Sequence, residues 1–150
     1  MSVAAKRVDI VSVKLVRDSS VMYPQRTINN PSDVAHLIRP FLENEDREVF
    51  LVVCVDTKHQ PTAINVVSIG TINSTFSHPR EIFKAAILSN TSGIILAHNH
   101  PSGLPHPSRD DEAITKRIVE AGRIIGIDVL DHIIIGANNS YTSFKERGLI

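Results

Sequence analysis

Gly93-Ile94-Ile95-Leu96-Ala97-His98-Asn99-His100, continuing as Pro101-Ser102-Gly103-Leu104-Pro105-His106-Pro107-Ser108-Arg109-Asp110-Asp111, is the stretch whose reading decides the fold. Its first five residues are a short apolar run of strand length, ending in a polar tip. Three prolines and a glycine then rule out a regular element over residues 101–107. Ser108 is a helix N-cap, and Ile114, Ile118, Ala121 and Ile125 recur at helical spacing, so a long helix with one core face is expected to about Ile125. Gly126 ends it, and Ile127 to Ile135 is a further apolar strand. A strand, a loop, a helix and another strand in this order form a crossover between neighbours in a sheet.

Upstream, Glu48 to Asp56 is nearly all apolar, as expected of a strand covered on both faces. Thr57-Lys58-His59-Gln60-Pro61 is a turn, and Thr62 to Ile69 returns as the second arm of a hairpin. Asn30-Pro31-Ser32-Asp33 opens a helix with Asn30 as cap, Pro31 in the first turn, and Val34, Leu37, Ile38 and Phe41 on one face. Pro79 opens another, with Ile82, Phe83, Ala86 and Ile87 as its buried stripe, ending at Asn90 to Gly93. Val8 to Val16 is β-branched and partly alternating, so a strand is expected, followed by a turn and short strand over 17–29. Asn138-Asn139 is a turn, and Ser143 to Arg147 a last short helix. These elements predict an α/β fold, a mixed central β-sheet flanked by helices. One compact domain over residues 30–150 would carry an N-terminal strand and turn extension at 1–29.

Composition narrows the function. The chain has 150 residues, 42% hydrophobic and 21% charged, with Lys plus Arg equal to Asp plus Glu at 16 each. Those proportions are globular, and the balanced charge gives no support for a nucleic-acid footprint or an anionic membrane. The single cysteine, Cys54, excludes an intrachain disulfide and an all-cysteine zinc site, and its apolar surroundings make it a small buried hydrophobe. The first residues lack a signal-peptide core, and no apolar run approaches the roughly 18 residues of a membrane span. A cytoplasmic setting is the expectation.

Chemistry concentrates at the polar tip. Residues two apart on a strand project to one side, so His98 and His100 can aim both imidazoles into one space. Asp111, in the first turn of the following helix, can point back at them. Two imidazoles and a carboxylate are three zinc ligands, leaving a fourth position for water. An HxH pair alone also fits two hydrogen-bonded loop histidines, and Ser108 with Asp111 also fits a helix cap favoured by the helix dipole. The single cysteine excludes the H-x-E and P-C-x-x-C set of zinc deaminases. Clustered carboxylates for a two-metal nuclease are not evident.

The full string, HxH, seven residues, Ser, two residues, Asp, resembles the metal-binding signature of the JAB/JAMM (MPN+) metalloprotease superfamily. Ala97-His98-Asn99-His100-Pro101-Ser102-Gly103 with Pro107-Ser108-Arg109 is similar to its RadC branch. So are Ser77-His78-Pro79-Arg80-Glu81-Ile82-Phe83-Lys84, Glu120-Ala121-Gly122-Arg123 and Gly126-Ile127-Asp128-Val129-Leu130-Asp131-His132-Ile133-Ile134-Ile135-Gly136. The likeness covers roughly residues 30–150 and takes the short form, without an N-terminal segment resembling helix-hairpin-helix modules.

The resemblance implies a JAB/MPN fold, cytidine-deaminase-like in layout, with Zn2+ on His98, His100 and Asp111. Ser108 is then the residue that hydrogen-bonds a developing oxyanion. A glutamate on an early strand is the general base, and Glu48 is the best match, with Glu45 and Asp46 as competitors and Glu43 a weaker one. The implied activity is hydrolysis of peptide or isopeptide bonds in a peptide or protein substrate. Two alternatives come with the family: a DNA-repair-associated accessory protein, and a protein-interaction module with a structural metal. A homodimer is compatible with the open edges of a small sheet. His132, with Asp131, is either a hydrogen-bonded strand residue or support for a zinc ligand. His106 is a loop residue, a substrate contact or an adventitious ligand. His78 is a cap or turn residue, and His36, His59, Arg109 and Asp110 face solvent. Asn99 either points into the core or holds the loop.

Overall fold

The computed structural model describes residues 2–70 and 78–150. Its elements are α1 (Pro31–Leu42), β1 (Glu48–Val55), β2 (Pro61–Gly70), α2 (Pro79–Ile82), α3 (Lys84–Leu88), β3 (Gly93–Asn99), α4 (Arg109–Ile125), β4 (Asp128–Ile135) and β5 (Tyr141–Ser143). The five strands form one mixed sheet in the order β2-β1-β3-β4-β5. β1 runs antiparallel to β2 and β3, β3 and β4 are parallel, and β5 returns antiparallel to β4.

Both faces of the sheet are covered, which explains the unbroken apolar reading of β1. Val49, Leu51, Val53 and Val55 pack with Ile95, Ala97, Ile133 and Ile135 under Val34, Leu37, Ile38 and Leu42 of α1. The alternate residues Phe50, Val52 and Cys54 pack with Ile94 and Leu96 against Ile82, Phe83, Ala86 and Ile118 on the other side. Leu51 and Leu96 are fully buried, and truncating either to alanine costs about 2–5 kcal/mol. α1 starts as its sequence predicts: the Asn30 side chain accepts from the Asp33 N–H with Pro31 in the first turn. α4 ends at Gly126, whose φ of 86° a side chain would oppose. One turn earlier, Gly122 lets the helix lie on the chain after it, since a Cβ there would meet the Ile127 carbonyl oxygen at 2.5 Å.

Four expectations are corrected. Val8 to Val16 is not a strand, and no strand falls within 17–29. That first run has sheet chemistry, but among the described residues no sheet edge is hydrogen-bonded to it. Ile87 is exposed because the chain breaks helix at Phe83 between α2 and α3, which rotates the later residues out of phase. Ile125 is exposed too. The buried face of α4 is Asp111, Thr115, Ile118 and Gly122, and Ile127 takes the core position after the helix ends. Ser143 to Arg147 is not a helix: Tyr141–Ser143 is β5 and turns follow. The Asp131 carboxylate accepts from the Ser143 hydroxyl and the Lys145 N–H, which holds the chain in that turn. Ser77, part of the family-like string, lies outside the described residues.

Candidate metal centre

Because β1 is antiparallel to β3 and β3 leads into the N-terminus of α4, three elements meet at one end of the sheet. Phe50 pairs with His98 across the β1–β3 ladder. Continuing that register by two residues sets Glu48 opposite His100 on the same face. Ser108 and Asp111 form a reciprocal cap at the start of α4. The Ser108 hydroxyl accepts from the Asp111 N–H at 3.0 Å, and Asp111 Oδ2 accepts from the Ser108 N–H at 2.9 Å. This cap turns the carboxylate back toward β3.

His98, His100 and Asp111 converge, and together they form a group able to hold a metal ion. The two Nε2 atoms are 3.1 Å apart. Asp111 Oδ1 is 3.4 Å from His98 Nε2, and Oδ2 is 3.1 Å from His100 Nε2. Ligands about 2.1 Å from a tetrahedral zinc lie roughly 3.4 Å from one another, so these separations suit such an ion. His98 and Asp111 are buried, while His100 is partly open to solvent.

Counting protons shows why these atoms need a cation. The Thr115 hydroxyl donates to the Asp111 carbonyl at 2.7 Å, so toward His132 Nδ1, at 2.6 Å, it accepts. His132 therefore carries its proton on Nδ1 and accepts at Nε2. His98 Nδ1–H must then be the donor in the 2.8 Å bond to His132 Nε2. His100 Nδ1 faces the Leu104 carbonyl at 2.9 Å, and a carbonyl only accepts. Each ligand imidazole thus spends its proton on the far side and turns a bare Nε2 lone pair toward the other and toward a carboxylate. Three acceptors facing one another are repulsive until a proton or a metal ion joins them.

The surroundings keep His132 neutral and leave the cluster itself to take up the proton or the ion. Phe50 stacks on His98 and Phe144 on His132, closing the buried rings from water. Burial, together with nearby His98, pushes the His132 pKa well below its ordinary value and keeps it neutral. Burial alone would raise the Asp111 pKa, but hydrogen bonds from His100 and His98, made when a proton sits on Nε2, together with one from the Ser108 backbone outweigh it and hold the carboxyl far below the usual range. The His100 pKa is raised, chiefly by its bond to Asp111 against the effect of burial, with the Glu48 charge adding to it.

The other sequence candidates fall into place around this centre. Glu48 is half-buried at the start of β1, whereas Glu43, Glu45 and Asp46 are exposed in the preceding loop. A polar cleft of about 490 Å³ opens beside His100, lined in part by Glu43, Glu45, Asn99, Gly103 and Asn138. Asn99 holds the β1–β3 end rather than the loop, bonding the backbones of Arg47 and Val49. His132 supports His98, while its neighbour Asp131 serves β5. His106 is exposed and faces Arg147, away from the cluster. His78 caps α2 through Nδ1. His36, His59, Arg109 and Asp110 are exposed, and Cys54 is buried. Sequence reading missed Thr115. Its signal was present as position i+4 from Asp111 on α4, but it was hidden among unremarkable helix residues.

A family model described as RadC-like JAB domain matches residues 28–149. A UPF0758 protein of Desulforamulus reducens is 55% identical over 123 residues, which is 82% of this chain and 54% of that protein. A UPF0758 protein of Methanosarcina barkeri is 44% identical over 149 residues, 97% of this chain and 65% of the relative. One from Moorella thermoacetica is 52% identical over 123 residues. The chain spans about half to two thirds of the length of the relatives it matches. Among the described residues, no helix is long and apolar enough to cross a membrane.

Proposed function

The chain belongs to the RadC-like JAB domain family, and from that premise we propose that it is a zinc-dependent hydrolase of amide bonds in a peptide or protein substrate. The observation that carries this reading is the meeting of two bare imidazole nitrogens and one carboxylate at 3.1 to 3.4 Å, at the open end of a sheet. His98, His100 and Asp111 would hold the ion. Zinc bound there supplies Lewis acidity, polarising a carbonyl oxygen and acidifying water.

The protein's own groups do the rest. Glu48 removes a proton from the attacking water and returns it to the leaving amine, a role suited to a half-buried carboxylate set opposite His100 on the neighbouring strand. The Ser108 hydroxyl accepts from the Asp111 N–H and so has its own proton to give to a developing oxyanion. Asn99 keeps β1 and β3 in register beneath Glu48.

Metal analysis of the wild type beside His98→Ala and Asp111→Ala tests the ligands, and a peptide-library screen with and without Glu48→Gln tests the chemistry. Stoichiometric zinc that both ligand variants lose, with hydrolysis abolished in Glu48→Gln, supports the reading. Equal zinc in all three samples, or hydrolysis unchanged in Glu48→Gln, overturns it.

A further inference from the structure

Among the described residues, two backbone stretches outside the metal centre have hydrogen-bonding groups with no strand beside them, and each suits the other. The first is the N-terminal arm. Val8, Ile10, Val11 and Val13 are 78%, 101%, 76% and 71% exposed. From residue 2 to 22 the backbone makes no hydrogen bond to another described residue. This segment has the β-branched composition of a strand and none of the pairing among the described residues. Leaving that many large apolar side chains in water is unfavourable, so the conformation awaits a surface.

The second is the outer edge of β2. This strand pairs only with β1 among the described residues. Natural edge strands are usually blunted by charge, proline or bulges. β2 runs Pro-Thr-Ala-Ile-Asn-Val-Val-Ser-Ile-Gly over Pro61–Gly70 without one charged residue. Pro61 guards its first position and irregularities fall at Thr62 and Val67, so the stretch in regular register is Ala63 to Val66. Val66 and Ile69 are 42% and 65% exposed. An uncharged edge with a four-residue regular stretch and exposed apolar side chains fits an edge that is normally covered.

Leu15 shows where the arm goes. It sits in a shallow groove beside Asn65, Val66 and Val67, against Ala85 and Leu88 of α3. The arm therefore crosses its own β2 there and then leaves the domain, since Ile10 has no cover at all. Val11 and Val13 share Leu15's face in an extended chain, so they suit the same kind of groove on another molecule. We propose that Val8–Val13 of one copy adds as a strand to the outer edge of β2 in a second copy, giving a two-fold homodimer with exchanged arms. Main-chain pairing supplies the affinity and the alternating valines supply the fit, as in other strand additions.

Sedimentation equilibrium on the full chain, with amide hydrogen exchange across concentrations, tests this. A species of twice the 16.5 kDa chain mass is expected. Amides of residues 8–13 should gain protection together with dimer formation. Val11→Lys in the arm and Val66→Lys on the edge should each weaken the dimer by roughly 100-fold, because each change enters the interface twice. Ile69→Lys is a second edge variant, and both edge side chains are exposed enough for the fold to tolerate lysine. A chain that stays monomeric at every concentration overturns the proposal. So does a dimer that survives both edge variants, which would mean arms pairing with each other or another face. Protection of the arm in a monomer also overturns it, because the strand would then lie on its own chain.

Discussion

The Asn99 side-chain amide brackets Glu48: its Oδ1 accepts from the Val49 N–H at 2.7 Å, and its Nδ2 donates to the Arg47 carbonyl at 2.9 Å. The residue between the two ligand histidines thus fixes the backbone on both sides of the carboxylate assigned as base. Asn99→Ala leaves a buried donor and acceptor without partners, costing about 1–3 kcal/mol of stability. It should also lower kcat by roughly 10- to 100-fold, because misplacing a catalytic group by about 1 Å is enough to do so. Zinc content should stay stoichiometric. Metal analysis beside steady-state kinetics checks this; loss of the metal along with the rate would mean that Asn99 serves the ligands instead.

Thr115 sits at the far end of the chain of hydrogen bonds through His132 to His98. Thr115→Val keeps the shape and removes the hydroxyl, so His132 loses the acceptor that fixes its proton on Nδ1. His98 can then carry its proton on either nitrogen, and zinc affinity should fall by about 10- to 100-fold. Thr115→Ser should restore it. Competition with a chromogenic chelator measures the affinity, and imidazole nitrogen shifts in the metal-free protein report which nitrogen of His98 is protonated. Unchanged affinity and unchanged shifts in Thr115→Val would sink this account.

Much of this was legible in the chain itself, because it is local. The HxH spacing states that two side chains share a strand face. The Ser108-x-x-Asp111 spacing states that a helix begins there with its carboxylate turned back. The unbroken apolar run of β1 states a sheet covered twice. What escaped reading depends on distance along the chain. Thr115 and His132 meet across 17 positions, and Asn99 reaches Val49 across 50. No period or spacing encodes such a meeting. The arm failed for a related reason: its alternation shows what it could pair with, but not which edge is free or on which molecule. Tyr141–Ser143 is too short for a periodic signal and owes its strand to β4 alongside it.

If His98, His100 and Asp111 hold the proposed ion, protons compete with it for the same atoms, and stability should register it. Bonding to Asp111, against the effect of burial, raises the His100 pKa above its ordinary 6.5. That contribution to metal-free stability is fully present below 6.5 and is lost as pH rises through the raised folded value. Burial depresses the His132 pKa below 6.5. The unfolded chain takes up that proton below 6.5 while folded His132 stays neutral, so stability also falls as pH drops. The Asp111 contribution is lost only below its ordinary 3.8. Chelator-treated protein should therefore melt highest near pH 6.5 and lower on either side. Zinc needs His100 unprotonated, so the zinc-induced rise in Tm should grow from about pH 6 to 8. Thermal melts with and without chelator check both limbs, and His100→Asn should flatten the upper one.

Ser108 carries two duties that substitution can separate. As the cap of α4 it accepts the Asp111 N–H, and losing that bond in Ser108→Ala should cost about 1 kcal/mol. Asparagine caps as well as serine, so Ser108→Asn should return Tm to within error of wild type. Its amide, however, does not set a hydroxyl proton where the oxyanion forms. If Ser108 donates to that oxyanion, kcat should drop by about 100- to 1,000-fold in both variants, whatever their Tm. Ser108→Thr, which keeps cap and hydroxyl together, should recover much of it. Activity that instead tracks Tm across the three variants would reduce Ser108 to a cap whose only service to the chemistry is aiming Asp111.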